Sequence, residues 1–292
     1  MFIQYNISIA IFFVLFNLTA FPQNIGKPEG EGITSRAVIE KMLLSIDHIK
    51  TLKFKLKQFE RINGQMIAGE KDIKISLSPL KIYIYLHSPD QGAEILWREA
   101  ENDGDALVNP NSFPYFNLNL DPYGKILRKD QHHTTFKVGF DYLAQIIRAA
   151  INKYEEDAYK YCKYLGTEIW NNTACYKIVL DYDDFKYIPY IVKKDETLNS
   201  IAEKLKVSEY MIMEINADVD DYDDVSPGQQ IMVPNVYAKK TILYIDKKNN
   251  LPIVQQIYDE KGLYEKYEFH NLQINPVIPE EEFTESYKGY NF

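Results

Sequence analysis

Two adjacent histidines and a nearby aspartate are the residues whose types most suggest chemistry. Asp130, His132 and His133 are residue types that bind transition metals. We expect the two histidines to lie on a strand and to point to opposite faces, so a metal site would need ligands from elsewhere in the chain. Structural or hydrogen-bonding roles are therefore favoured, and we predict no metal site and no cofactor.

Motifs of catalysis are missing from the sequence. There is no glycine-rich phosphate loop, no serine nucleophile elbow and no His-Glu zinc helix. The carboxylates are many, but none occurs in a motif that indicates the general acid and base of a glycosidase. We therefore assign no catalytic residue and predict a protein that is not an enzyme, with an envelope hydrolase as the alternative.

The only two cysteines, Cys162 and Cys175, are candidates for a disulfide in an oxidising compartment. Residues 166–170 and 174–180 have the composition of two strands joined by a tight turn. Pairing about that turn places Cys175 opposite Glu168, with Cys162 several residues further along. This separation argues against a bridge, and the sequence leaves the question open.

Charge and composition exclude other classes of protein. The 292 residues include 33 Lys and Arg against 42 Asp and Glu, a formal net charge of -9. An acidic surface repels phosphate backbones, so we predict no nucleic-acid partner. Hydrophobic residues make up 46% and aromatic residues 14%, a composition that supports a packed core and favours strands over disorder.

The N-terminal residues predict export. Residues 7–18 are nearly all apolar and precede Thr19-Ala20, and a run of this length suits a signal peptide, since a membrane helix needs about 20 residues. The run lacks a preceding Lys or Arg, and Leu18 is large for its place before the cleavage site, so an uncleaved anchor is the alternative. With no cysteine after the run, we predict a signal peptide at residues 1–20 and an exported protein of the periplasm or cell envelope that is not a lipoprotein.

Hydrophobic periodicity predicts two helices and two groups of antiparallel strands. Apolar residues recur every three or four positions after a cap at Thr34 or Ser35, and again over residues 140–150, as in amphipathic helices. Alternation of apolar and polar residues predicts strands without helices between them, which is typical of antiparallel meanders. The strand segments are residues 52–57, 72–77, 82–87, 167–180, 241–246, 253–258 and 263–269.

This order of elements resembles the LolA-like family of outer-membrane lipoprotein-sorting proteins. The residues that carry the resemblance are Ile245-Asp246, Leu251-Pro252 and Gly262. It implies an α+β fold in which a curved antiparallel β-sheet, a half-barrel, wraps helices and forms a cup for an apolar ligand such as a lipid or the acyl chain of a lipoprotein. We assign this host domain to residues 33–188 and 240–292.

Residues 190–235 interrupt the host domain with a different pattern. A short strand at residues 190–192 precedes a helix capped by Thr197 and a second helix capped by Ser208. Pro227-Gly228 then turns the chain into a closing strand at residues 230–233. The pattern predicts a small βααβ module inserted between two strands of the host, which is tolerated if both ends of the module lie close together.

This module resembles the LysM domain. The positions in family register are Thr197-Leu198, Ile201-Ala202, Val207-Ser208, Asn216, Pro227-Gly228-Gln229 and residues 231–234. Asp195-Glu196 stands where the family usually has Gly-Asp, which could alter a loop of the sugar groove. The resemblance implies binding of peptidoglycan or another glycan containing N-acetylglucosamine (GlcNAc). The glycan-binding residues that it implies are Asp195, Glu196, Thr197, Leu198, Asn216, Ala217 and Asp218.

Together these patterns predict a non-enzymatic protein of the cell envelope that binds peptidoglycan through its LysM module and holds a lipid or acyl chain in its host domain. Three alternatives stay open. The module could serve as a spacer that stabilises the host, the chain could be a hydrolase that LysM targets to peptidoglycan, or neither domain could bind a ligand.

Overall fold

A computed structural model describes residues 32–292, and the predicted signal peptide lies outside the described residues. Four α-helices and thirteen strands form over this part of the chain. Their bounds are α1 Ser35–Asp47, β1 Thr51–Ile62, β2 Gln65–Leu77, β3 Leu80–Ser88, β4 Glu94–Arg98, β5 Ala106–Asn109, β6 Leu118–Leu120, α2 Asp141–Tyr154, β7 Cys162–Trp170, β8 Thr173–Asp181, β9 Tyr187–Ile191, α3 Leu198–Leu205, α4 Glu209–Ile215, β10 Gln230–Pro234, β11 Lys240–Asp246, β12 Pro252–Asp259 and β13 Gly262–Ile274.

Eleven of the described strands form one curved antiparallel sheet. Its order is β6-β5-β4-β3-β2-β1-β13-β12-β11-β8-β7, and its two end strands do not pair with each other, so the sheet stays open. Every pairing within it is antiparallel. The prediction of an α+β fold with a curved antiparallel sheet around helices is confirmed.

The inner face of the sheet carries the main hydrophobic core. On β1, Leu52, Phe54 and Leu56 are buried while the lysines between them are only half-buried, so the alternation along the sequence becomes the two faces of the sheet. Helices α1 and α2 pack against the inner face, and burial of each large apolar side chain contributes about 1.5–3 kcal/mol. The buried side chains of the two helices include Val38, Ile39, Met42, Ile46, Leu143, Ala144 and Ile147.

The inserted module leaves and re-enters the sheet between two neighbouring strands. β8 pairs directly with β11, with Asp181 opposite Lys240, so the host sheet is continuous across the insertion. Within the module β9 pairs with β10, and β9 begins at Tyr187, three residues before the predicted start of the module. The predicted domain bounds themselves stay a prediction.

The cysteines behave as the strand register indicates. Cys175 lies opposite Glu168, as predicted, whereas Cys162 lies opposite Leu180 at the other end of the same hairpin. Both are buried free thiols. Burial raises the pKa of each thiol to about 11, so neither is a ready nucleophile near neutral pH.

The C-terminal residues cover part of the outer face of the sheet. Glu282 is buried there and accepts hydrogen bonds from Lys53, and it forms an ion pair with Lys74 at 2.7 Å. The ring of Tyr290 stacks on that of Tyr83 with centroids 3.8 Å apart. These contacts place the half-buried lysines of the outer face against a carboxylate instead of leaving them in water. Between residues 32 and 292, none of the helices has the length and apolarity for crossing a membrane.

Candidate functional site

The module folds around its own small core. The hydroxyl of Thr197 accepts a hydrogen bond from the amide of Ser200, whose hydroxyl in turn accepts from the amide of Thr197, so a reciprocal capping box begins α3. The hydroxyl of Ser208 caps α4 by accepting a hydrogen bond from the amide of Met211. The core between the helices and the two strands consists of Val192, Leu198, Ile201, Ala202, Val207, Ile212, Val219, Tyr222, Ile231 and Val233.

Three of the seven predicted glycan-binding residues are exposed. Asp195, Ala217 and Asp218 face solvent. Leu198 is 0% exposed and belongs to the module core. Asn216 is buried, and its side chain donates to the carbonyls of Ile212 and Met232 and accepts from the amide of Met232. The side chains of Leu198 and Asn216 are therefore used within the module and are not presented to solvent.

Glu196 and Thr197 also act within the loop that precedes α3. The carboxylate of Glu196 accepts from the backbone amide of Lys193 at 2.9 Å and from the hydroxyl of Tyr190 at 2.8 Å. The hydrogen bond from the amide of Lys193 is the largest cause that lowers the pKa of Glu196. Both side chains are therefore used within the loop, and so are the backbone amides of the two residues, which donate to the carbonyl of Lys193 and to the hydroxyl of Ser200.

Asp195 keeps the backbone conformation that a glycine would adopt at its position. Its φ is 63°, in the left-handed region that favours glycine. Aspartate tolerates this region better than most residues. Aspartate at this position therefore retains the left-handed backbone conformation and adds an exposed carboxylate.

A buried ion cluster fixes the module to the host domain. Glu209 at the first turn of α4 is 1% exposed, and its two carboxylate oxygens lie 2.9 Å from Arg128 Nη2 and 2.8 Å from Lys137 Nζ. Burial favours the neutral acid, but the charges of Lys137 and Arg128 outweigh burial and lower the pKa of Glu209. Removing any partner would leave an uncompensated buried charge.

Further polar contacts surround this cluster and make the module part of the host. The guanidinium of Arg128 lies 3.3 Å from the ring centroid of Tyr222 and donates to Asn199 Oδ1 at 2.6 Å. Three more hydrogen bonds cross the junction: Ser208 Oγ with Tyr264 Oη at 2.9 Å, Tyr142 Oη to the carbonyl of Val207 at 3.0 Å, and the amide of Asn63 to Tyr210 Oη at 3.0 Å.

A cavity of about 580 Å³ lies between the inner face of the sheet, helix α2 and the module. Its apolar lining comes from both layers of the host domain: Leu56, Ile84, Leu86, Ile95, Leu143, Ile146, Ile147, Ala150, Leu180, Ile257 and Phe269. The exposed lining residues are Asn152, Lys153, Ile188 and Lys204. They mark the open side of the cavity, between α2 and the module.

The opposite wall of the cavity is polar and includes His133, Glu60 and Glu265, and His132 is buried behind it against Glu265. His132 and His133 lie in a bend, not on a strand, and both contact Glu265, so the prediction that they point to opposite faces of a strand is wrong. Glu265 is 0% exposed and also accepts from the hydroxyls of Tyr237 and Tyr267. Burial raises the pKa of this carboxyl, but the nearby His133 and His132 outweigh burial and leave the pKa far below its ordinary value.

The same wall contains a group of ligand-type side chains, but hydrogen bonds already use them. One ligand atom each from Glu60, His132 and Glu265 lies within 4.8 Å of the others. His132 Nδ1 lies 2.8 Å from Glu265, and its Nε2 lies 3.0 Å from the carbonyl of Arg61. Burial lowers the pKa of His132, yet the hydrogen bond to Glu265 and the charge of Glu60 raise it overall. A ring that donates from both nitrogens has no lone pair for a metal, so hydrogen bonding accounts for the group.

The chain is an α+β protein with a large curved antiparallel sheet, a cavity on its inner face and an inserted LysM domain. Residues 190–234 match the LysM domain family, which confirms the module predicted from the sequence. Residues 49–189 match DUF1571, described as a protein of unknown function. No curated protein matches the chain.

Several solved structures are similar to the chain in fold at low sequence identity. A DUF1329 family protein from Desulfovibrio piger is 10% identical, with 86% of this chain and 98% of that one covered at a TM-score of 0.34. The lipoprotein LppX of Mycobacterium tuberculosis is 13% identical, with 84% and 97% covered at 0.40. A LolA superfamily protein from Nitrosomonas europaea is 11% identical, with 88% and 100% covered at 0.30. At these scores the likeness says nothing about a ligand.

Glu209→Ala should destabilise the protein, because it leaves the buried Arg128 without its carboxylate partner. We expect the free energy of unfolding to fall by about 3–5 kcal/mol, measured by chemical denaturation at pH 7. Asp223→Ala, which removes an exposed carboxylate of the same module, is the matched control and should change it by less than about 0.5 kcal/mol. Equal effects of the two substitutions would contradict the role given to the ion cluster.

The raised pKa of His132 predicts a stability that falls at alkaline pH. A group whose pKa is raised on folding stabilises the fold below its ordinary value of 6.5, and this contribution is lost as the pH rises through the raised value. We expect His132→Gln to flatten the alkaline decline in the melting temperature between pH 6 and pH 9. The exposed His48→Gln should keep the decline of the unsubstituted protein, and an unaltered decline in His132→Gln would contradict the assignment.

Proposed function

We propose that this chain is a non-enzymatic protein of the cell envelope with two binding sites. The LysM module holds the protein on peptidoglycan or another GlcNAc-containing glycan, and the host cavity holds an acyl chain of a lipid or lipoprotein. The match to the LysM family and the exposure of Asp195, Ala217 and Asp218 support the first site. The apolar cavity supports the second site.

Glycan recognition by the module rests on backbone groups and two exposed carboxylates. The loops at residues 195–198 and 216–218 flank the proposed groove. Most of their amides already have partners within the module, and the amides of Asp195, Ala217 and Asp218 are the ones that remain for the amide groups of GlcNAc. Asp195 and Asp218 can accept hydrogen bonds from sugar hydroxyls. Because a groove of this size buries little area, the affinity of a single module is expected to be weak.

The contacts of the module with the host leave this groove accessible. Most of them involve residues 199–214 of the two module helices. Arg128 also contacts the ring of Tyr222, and Lys125 contacts the carbonyl of Asp220 and the carboxylate of Asp221. None of these is among the three exposed residues of the predicted glycan site. The protein can therefore engage a glycan while the module stays fixed to the host domain.

The cavity has the size and lining of a site for an apolar ligand. Ligand pockets typically enclose about 300–1,000 Å³ and are mostly apolar with a few placed polar groups, and the volume of about 580 Å³ here lies within that range. An acyl chain would lie along the apolar lining, where each buried methylene contributes about 0.8 kcal/mol. Its opening beside α2 and the module gives the chain a way in.

We further propose export, with a signal peptide at residues 1–20, so that the protein meets peptidoglycan in the periplasm or cell envelope. The host domain then comprises residues 33–188 and 240–292, and the LysM module residues 190–235.

One observation favours a second role for the module. The burial of Glu209 against Arg128 and Lys137 makes the module a stabilising part of the host, a role that does not require a glycan.

Co-sedimentation with purified peptidoglycan tests the glycan site. Ala217→Arg places a long cationic side chain in the proposed groove, and we expect the bound fraction at micromolar protein to fall by about tenfold, equivalent to about 1.4 kcal/mol. Ser286→Arg adds the same charge at the exposed C-terminal segment and should bind like the unsubstituted protein. Absence of binding by the unsubstituted protein would leave the module with its structural role alone.

Filling the cavity tests the acyl site. Ala150→Trp places an indole among the apolar lining residues, and we expect the affinity for an acyl ligand to fall by about tenfold. Leu44→Trp, on the exposed face of α1, should keep the full affinity. Mass spectrometry of lipids extracted from both purified proteins gives an independent measure. Equal lipid content and equal affinity in both variants would contradict acyl binding in this cavity.

A further inference from the structure

The polar wall of the cavity contains a buried cation without a carboxylate partner. Lys71 on β2 lines the cavity and is 7% exposed. Its Nζ donates to Gln131 Oε1 at 2.9 Å, and over residues 32–292 it forms no ion pair with any carboxylate. Burial lowers the pKa of Lys71, and the charge of Glu60 offsets this only in part.

The two carboxylates in the same wall are already used by other groups. Glu60 accepts from the hydroxyl of Tyr267 and from the backbone amide of His132. Glu265 accepts from two tyrosine hydroxyls and lies 2.8 Å from the His132 ring. The remaining donors of Lys71 are therefore free for a ligand that enters the cavity.

Two unsatisfied polar atoms lie in the bend that carries Gln131, the partner of Lys71. Thr134 is 2% exposed and lines the cavity. Its hydroxyl has no hydrogen-bond partner among the described residues, and neither does Nδ1 of His133. Buried polar groups almost always have partners, so the unpaired hydroxyl of Thr134, a residue of the cavity lining, is available to a ligand group.

From this geometry we infer that the cavity takes a single-chain amphiphile with an anionic head, a carboxylate or a phosphate, whose oxygens bind Lys71 Nζ and Thr134 Oγ1 while its chain lies along the apolar lining. The inference deepens the proposed function and rests on the acyl cavity. The ion pair with Lys71 is charge-assisted, which makes it about twice as strong as a neutral hydrogen bond. A neutral head of the same size would leave the ammonium uncompensated.

Isothermal titration of the delipidated full chain tests the subsite with three ligands of equal chain length: myristate, 1-myristoyl lysophosphatidate and neutral monomyristin. We expect the two anions to bind about tenfold more tightly than monomyristin, equivalent to about 1.4 kcal/mol. The stronger of the two anions identifies the head as a carboxylate or a phosphate. Lys71→Met should remove the preference for anions, so that the two anions and monomyristin bind with similar affinity.

A matched control lies on the neighbouring strand. Lys57 on β1 lies opposite Glu70, next to the pair of Leu56 and Lys71, but on the outer face of the sheet. Lys57→Met removes the same charge outside the cavity and should keep the preference for anions. Melting curves of both variants confirm that each is folded.

Three results would overturn the inference, and they separate it from the proposed function. If monomyristin binds as tightly as myristate, or if Lys71→Met keeps the preference, the anionic subsite is wrong while acyl binding in the cavity stands. If none of the three ligands binds, the proposed acyl cavity is wrong and the subsite fails with it.

Discussion

The arrangement of both candidate sites depends on the buried ion pairs of Glu209 with Arg128 and Lys137. A carboxylate that is 1% exposed is costly to bury unless cations surround it, and Arg128 and Lys137 supply them. Both cations come from residues 128–137, a single segment of the host domain. This requirement fixes where the module lies, because α4 can bury Glu209 only where that segment meets it.

The same host segment also forms part of the cavity wall. His132, His133 and Thr134 lie between its two cations. The ring of His132 stacks between those of Tyr210 in the module and Tyr264 in β13. His133 and Thr134 line the cavity. One stretch of chain thus holds the module on one side and shapes the polar wall on the other. Asp195, Ala217 and Asp218, the exposed residues of the proposed glycan site, are not part of the cavity lining, so the proposal allows a ligand in the cavity and a glycan on the module of the same molecule.

Local patterns in the sequence predict much of the fold. The alternation in residues 52–57 becomes β1, and the apolar residues after Thr34 become the buried face of α1. The motif around Thr197 and Ser208 specifies the βααβ module because both residues cap helices through contacts three positions away. Such features are encoded within a few residues of each other, where periodicity and capping rules apply.

The candidate sites were harder to predict because they depend on contacts between distant residues. The polar wall joins Glu60, His132 and Glu265, which no spacing rule relates. The sequence predicts a strand for the two histidines, because the bend in which they lie leaves no periodic signal. Asn216 belongs to the LysM pattern for a structural reason, since its side chain holds β10 in place, and a motif alone does not separate that role from sugar binding.

The most direct test of the two-site account is whether one molecule carries both ligands at once. Protein loaded with radiolabelled myristate is sedimented with purified peptidoglycan, and label and protein are measured in the pellet. The account predicts that label and protein sediment in the ratio in which they were loaded, and that neither sediments without peptidoglycan. Protein that sediments without its label, or label and protein that both stay in the supernatant, would contradict it.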